Sequence, residues 1–190
     1  MKRIIYAIFL AVFSMVNTSC EEGDGFKEYG LAKIYMPQAT VSGGLNNDYF
    51  VPSGEGEYTY NFKVDKTKKE LQIILGVLRS GTLSNEAYSV DIISRIDTTN
   101  QILSEGLIPD GILFPANAYS LPAKVSVPNN KSGESFYMIV SIDELNKSIY
   151  TDKKLVLTAA ITNPTKFELS EENTNTVVIL DVNAIREYIN

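Results

Sequence analysis

The sequence predicts an all-β fold, either a β-sandwich or a barrel, and three observations support this prediction. Several segments alternate apolar and polar side chains with a period of two, which is typical of strands with one buried face. Residues 71–78 (LQIILGVL) are apolar at almost every position, as in a central strand covered on both sides. Clusters of Pro, Gly and Asn separate these segments, and no long helical period is present.

The alternating segments follow one another along most of the chain. Residues 58–64 (YTYNFKV) come first, and the pattern places Tyr58 and Tyr60 on the buried face of a strand. Three further segments repeat the pattern: 136–142, 155–161 and 178–182. Turn signals lie at 52–54, 109–111, 128–130 and 163–164. Short helical turns are expected only at 84–87 and 183–188.

The first twenty residues have the pattern of an export signal. Lys2 and Arg3 precede an apolar run over 4–16, which is shorter than the roughly 20 residues that a spanning helix needs. Small residues then lead to Cys20, the only cysteine. This arrangement resembles a bacterial lipoprotein signal, which implies acylation of Cys20 as the first residue of the mature chain. The alternative is a plain secretory signal with a nearby cysteine.

The lipoprotein interpretation predicts the domain organisation and the location. Residues 1–19 form a signal peptide, 20–28 a flexible acidic tether and 29–190 a single β-sandwich domain. The acyl group at Cys20 anchors the protein to the outer membrane, since two or three acyl chains hold stably. The acids at 21, 22 and 24 resemble a surface-export tag of Bacteroidota lipoproteins, but an ordinary solvated linker explains them equally well.

Composition excludes several classes of function. The net charge is −6 and the chain contains no basic stripe, so neither nucleic acid nor an anionic membrane surface is an expected partner. The chain has no histidine, which removes the commonest general base and metal ligand, and one cysteine cannot build a thiolate zinc site. We expect no catalytic residue, no metal and no cofactor, although hydrolysis by carboxylates alone remains open.

Five sequence blocks, taken in order, resemble a known domain. They are YGLAKIYMPQA (29–39), LQIILGVLRSG (71–81), EAYSVDI (86–92), AYSLPAKVSVPNN (118–130) and LTAAITNPTKFELSEENTNTVVILDV (157–182). Their order is similar to a domain of unknown function of Bacteroidota surface lipoproteins, the N-terminal module found ahead of endo-β-N-acetylglucosaminidase-type glycoside hydrolases. The resemblance implies an immunoglobulin-like antiparallel β-sandwich with Greek-key connections, encoded near genes for glycan capture and degradation.

Aromatic residues beside amides in predicted loops are the candidates for ligand binding. A sugar ring stacks on an exposed aromatic face, and because the chain has no tryptophan, tyrosine or phenylalanine must supply it. The candidates are Tyr49, Phe50, Phe114, Asn117 and Tyr119. Packing of these rings in the core is the alternative interpretation and the one we favour.

Asp97-Thr98-Thr99 fits a three-residue pattern for O-glycosylation in Bacteroidota, and it makes Thr98 a candidate modification site. A pattern this short also arises often by chance.

These observations favour a non-catalytic envelope lipoprotein that binds glycan or a partner protein in a polysaccharide-utilisation system. The alternative is a structural adhesin or assembly subunit that acts by pairing strand edges with another chain. The sequence names neither the ligand nor the partner.

Overall fold

The computed structural model describes residues 32–41, 47–81 and 86–190. The predicted signal peptide, Cys20 and the acidic tether lie outside these residues, as do residues 84 and 85 of the turn expected at 84–87. The described residues form two sheets whose inner faces share one hydrophobic core. The prediction of an all-β sandwich is therefore confirmed.

Twelve strands are present in the described residues, together with four α-helices and one short 3-10 helix. The strands are β1 (Lys33–Tyr35), β2 (Asp48–Val51), β3 (Phe62–Asp65), β4 (Glu70–Arg79), β5 (Tyr88–Ser94), β6 (Gly111–Leu113), β7 (Tyr119–Ser120), β8 (Lys124–Val127), β9 (Gly133–Ser141), β10 (Lys154–Thr162), β11 (Glu168–Leu169) and β12 (Asn175–Asp181). The helices are α1 (Gln38–Val41), α2 (Ile96–Ser104), α3 (Ile142–Leu145) and α4 (Val182–Ile189), and the 3-10 helix spans Ser148–Tyr150.

The first sheet has the order β11-β1-β4-β9-β7, with β3 also paired to β4, and the second has the order β2-β12-β10-β5-β8, with β6 also paired to β10. Many neighbouring strands are distant in sequence, as in Greek-key sandwiches. Both sheets are mixed rather than wholly antiparallel, because β11, β2 and β6 join in parallel. These strands are only two to four residues long and reach their partners through long connections, which parallel pairing requires.

Burial of the two central strands differs from the sequence prediction. β4 is central, but Gln72 and Ile74 on its outer face are only half-buried. β10 is covered on both faces instead, since every residue from 155 to 161 is buried, and its neighbour β12 is likewise buried from 176 to 180. Helix α2 causes this difference, because Ile102 packs with Val156 and Val177 in a second, smaller cluster on the outer face.

Helix α2 was not expected from the sequence, whereas α4 agrees with the predicted terminal turn. The carboxylate of Asp181 accepts a hydrogen bond from the Ala184 N–H (3.0 Å) and so caps the first turn of α4. None of the helices in the described ranges is both long and apolar enough to span a membrane.

Each long central strand is flanked on one side by two short strands that lie end to end. β3 and β1 share one side of β4, and β6 and β5 share one side of β10. Where the two flanking strands do not meet, a backbone N–H of the central strand donates to a side chain instead of to a neighbouring strand. Gln38 Oε1 accepts from Gly76 N (3.2 Å), and Thr99 Oγ1 accepts from Thr158 N (2.9 Å).

The contact between α2 and β10 predicts a large effect of a conservative substitution. Thr99 and Thr158 are both fully buried, so Thr99→Val leaves the Thr158 N–H without an acceptor and should lower the free energy of unfolding by about 1–3 kcal/mol. Chemical denaturation of the whole chain measures the change. Thr98→Val, one residue earlier in the same helix, should change the free energy of unfolding by less than about 0.5 kcal/mol. Wild-type stability of Thr99→Val would contradict this role of the Thr99 hydroxyl.

A candidate binding cleft lined by tyrosines

Tyr49 is a structural anchor rather than an open platform. It lies in β2, packs against the main core, and its hydroxyl donates to the carbonyl of Ile74 in the opposite sheet (3.0 Å). Burial raises the pKa of Tyr49 to about 12, so the phenol stays neutral and keeps donating. The hydrogen bond therefore ties the edge strand of one sheet to the central strand of the other.

Phe114 is 1% exposed, so its ring offers no face to a ligand and the expectation of a platform there is corrected. Its ring packs edge-on against Tyr119, with 5.7 Å between centroids, and the Tyr119 hydroxyl donates to Ser94 Oγ (3.1 Å). Apolar packing explains the pair, as the alternative interpretation held. Asn117 is exposed and Tyr119 half-buried, and both line a shallow cleft of about 300 Å³.

Phe50 is the candidate whose ring is open, because half of it (52%) is exposed. It points away from the core on β2, opposite to its neighbour Tyr49. The structure thus brings Phe114 and Tyr119 into contact but places Tyr49 and Phe50 on opposite faces of one strand. Thr98 is half-buried in the first turn of α2, and its glycosylation stays a prediction.

Tyr58, which the alternation placed in the core, is fully exposed, and that prediction is wrong. The strand begins only at Phe62, so the aromatic stripe at 58, 60 and 62 runs from solvent into the core. Tyr60 is half-buried and stacks on the buried Phe62, with 5.1 Å between centroids and 9° between planes. The signal that predicts this outcome is the turn composition of residues 52–57 (PSGEGE) just before the stripe.

Helix α4 adds a third ring to this stripe. Tyr188 packs edge-on against Tyr60 and Phe62, with centroid distances of 5.2 and 5.1 Å. A hydrogen bond with the Tyr60 hydroxyl raises the pKa of Tyr188, so its phenol is neutral at physiological pH. Two partly exposed tyrosines are therefore held at fixed angles by a buried phenylalanine.

These rings line a cleft of about 600 Å³, which we call the tyrosine cleft. Its lining consists of Glu57, Tyr58, Tyr60, Phe62, Lys63, Val64 and Tyr188. The ammonium of Lys63 lies 5.5 Å from the centre of the Tyr137 ring and donates to the Tyr137 hydroxyl (3.2 Å). The cleft combines aromatic faces with hydroxyl, carboxylate and ammonium groups at its rim, which suits a ligand with both an apolar face and polar groups.

The loop that carries Tyr58 (residues 53–61, the Tyr58 loop) is closed at its base and braced inside. Ser53 N donates to Asn61 Oδ1 (2.9 Å), and Asn61 N donates to the Ser53 carbonyl (3.1 Å). Thr59 Oγ1 accepts from the N–H groups of residues 55 and 56 (3.0 and 3.1 Å). Gly54 has φ +108°, and a Cβ there would lie 2.4 Å from the Thr59 carbonyl oxygen. The loop therefore presents Tyr58 from a defined backbone.

Comparisons with known proteins support the fold. No protein-family model matches the sequence, and no curated protein matches it significantly. A solved structure from Bacteroides ovatus, described as a "putative carbohydrate binding protein", matches 78% of the chain at 10% identity with a TM-score of 0.52. A second protein from the same organism, of unknown function, matches 78% of the chain at 13% identity with a TM-score of 0.54.

The chain covers only 36% and 46% of the length of these two proteins. At such low identity the likeness establishes the β-sandwich fold alone.

The geometry of the Tyr58 loop predicts a specific sensitivity to a methyl group. Gly54→Ala forces the loop out of its braced form, and we expect cleavage by endoproteinase Glu-C after Glu55 or Glu57 to accelerate roughly 5–30-fold, the effect of about 1–2 kcal/mol on local opening. Gly56→Ala is the matched control, because a Cβ there meets nothing within 4 Å. Equal cleavage rates for the two variants would contradict a braced loop.

Proposed function

We propose that this chain is a non-catalytic lipoprotein of the cell envelope whose β-sandwich binds glycan through the tyrosine cleft. The observation that carries the proposal is a fully exposed tyrosine, Tyr58, held on a braced loop beside two partly exposed tyrosines. Tyrosine supplies a large, rigid contact surface at low entropic cost, and preorganisation raises affinity. One fold neighbour is described as a "putative carbohydrate binding protein", which supports the proposal.

Binding without catalysis is the form of this function that the residues favour. A glycosidase needs two carboxylates that face each other across the bond to be cleaved. Among the described lining residues of the tyrosine cleft, Glu57 is the one carboxylate, and the chain contains no histidine to serve as a base. The expected role is therefore to hold a glycan for other proteins. These include the glycoside hydrolases whose genes the family resemblance places near the gene for this chain.

The second candidate function, strand-edge pairing in an adhesin or assembly, receives less support from the sheets. The strands at their ends are β11 and β7 in the first sheet and β2 and β8 in the second, and each has only two to four residues. Short edge strands are one of the devices by which proteins avoid pairing with other chains. A partner protein bound through the loops remains compatible with the proposal.

Replacing the exposed ring tests the binding site. Tyr58→Ala should weaken binding of a glycan identified on an array roughly tenfold, equivalent to about 1.4 kcal/mol, with little effect on folding because the ring is fully exposed. Phe50→Ala is the matched control, since it removes another exposed aromatic ring. Calorimetric titration compares the affinities of the two variants for the glycan. If Phe50→Ala weakens binding and Tyr58→Ala does not, the binding site lies at β2 and not at the tyrosine cleft.

The anchor is tested separately. We expect radiolabelled palmitate to enter the wild-type protein and not a Cys20→Ala variant, because acylation of this residue is the basis of the lipoprotein interpretation. Both proteins are to be followed by membrane fractionation of cells. Equal labelling of the wild-type protein and the Cys20→Ala variant would overturn the lipid anchor at Cys20 and leave the glycan-binding proposal unaffected.

A further inference from the structure

We propose that a second cleft, beside helix α2, binds the hydroxyl groups of a neutral sugar chain. We call it the amide cleft; it has a volume of about 530 Å³ and is lined by Asn47, Thr98, Gln101, Ile102, Glu105, Glu172, Asn173, Asn175 and Val177. Asn47 precedes β2 whereas the Tyr58 loop follows it, so the two clefts lie at opposite ends of this strand. The inference shares its ligand class with the proposed function but concerns different residues.

The walls of the amide cleft are fixed by hydrogen bonds. Asn47 has φ +60°, and its Nδ2 donates to Asn175 Oδ1 (2.9 Å), which joins the start of β2 to the start of β12. On the opposite wall, Gln101 Nε2 donates to Glu105 Oε1 (2.9 Å). The buried Thr99–Thr158 contact described above holds α2 on the sheet. A ligand therefore meets polar groups that are already in position.

Several of these polar groups have no protein partner. Within the described ranges, the side chains of Glu172 and Asn173 and the Nδ2 group of Asn175 make no hydrogen bond to protein, whereas Asn175 Oδ1 accepts from Asn47. The floor between the walls is apolar, because Ile102 and Val177 are 8% and 2% exposed. Donors and acceptors above an apolar floor match a pyranose, which carries hydroxyl groups at its edge and C–H groups on its face.

The charge of the lining decides the ligand class. The lining of the amide cleft includes two carboxylates, Glu105 and Glu172, and none of its described residues is basic. An acidic ligand would therefore be repelled. A metal ion is disfavoured as well, because the described residues contain no group of three or more acids, histidines or cysteines able to hold one. A neutral polyhydroxylated ligand satisfies the free amides and carboxylates without an unpaired charge.

Two sites on one module have a consequence for affinity. A glycan long enough to reach both clefts is held at two points, and the second contact forms at a high effective concentration. Short glycans occupy the sites independently. The inference therefore predicts that affinity rises with chain length beyond what one cleft explains.

The test uses a double variant that should leave the fold intact. Glu172→Ala with Asn173→Ala removes two side chains that make no protein hydrogen bond, and Glu171→Ala is the matched control, an exposed neighbouring acid outside the cleft lining. The whole chain is titrated calorimetrically in mild detergent with β-1,4-linked hexaoses of glucose, mannose, xylose and N-acetylglucosamine. Before the titration, the intact mass of the protein is measured. A mass without added sugar confirms that no glycan attached to Thr98 fills the cleft.

We expect the double variant to weaken binding of at least one hexaose tenfold or more, while Glu171→Ala binds as wild type. The effect should persist in the Tyr58→Ala background, which isolates the second site. Wild-type affinity of the double variant for every hexaose that binds, or tighter binding of hexagalacturonic acid at this cleft, would overturn the inference.

The two proposals fail in distinguishable ways. If Tyr58→Ala abolishes binding and the double variant binds as wild type, the proposed function stands and the second site is overturned. If the double variant abolishes binding and Tyr58→Ala binds as wild type, glycan binding is assigned to the amide cleft alone. If the wild-type protein binds none of the hexaoses, the second site is overturned.

Discussion

The gaps between short strands impose the constraint on which much of this structure depends. β4 and β10 each run the length of a sheet, but on one side each is paired by two short strands that do not meet. A backbone N–H left in such a gap is buried, and leaving it unpaired costs about 1–3 kcal/mol. Gln38 and Thr99 supply the missing acceptors. These hydrogen bonds hold α1 and α2 on the sheets in addition to apolar packing.

The position of each cleft follows from elements that complete the sheets in this way. Because Thr99 fixes α2 on β10, the helix covers the outer face of the second sheet and forms one wall of the amide cleft. At the other end of β2, α4 begins directly after β12 and places Tyr188 against Tyr60 and Phe62. The fold therefore positions both sets of polar and aromatic groups through short helices attached to a rigid sandwich.

The fold class was predictable from the sequence because apolar and polar side chains alternate through β9 and because Pro, Gly and Asn separate the apolar segments, whereas the limits of the strands were not predictable. Alternation continues to Tyr58 although the strand begins at Phe62, since spacing does not reveal where hydrogen bonding stops. Helix α2 was missed because its contact with the sheet includes a threonine hydroxyl as well as an apolar stripe. The amide cleft was beyond prediction, because it joins residues near 47, 101 and 173 that only the tertiary fold brings together.

The clasp between Ser53 and Asn61 has a practical consequence for protein engineering. Since the two ends of the loop are joined to each other and the hydrogen bonds to Thr59 lie within the loop, the tip can be exchanged without altering the register of either sheet. A library randomised at 55–58 on this scaffold, with Gly54, Thr59 and the clasp retained, would sample new specificities on an unchanged β-sandwich.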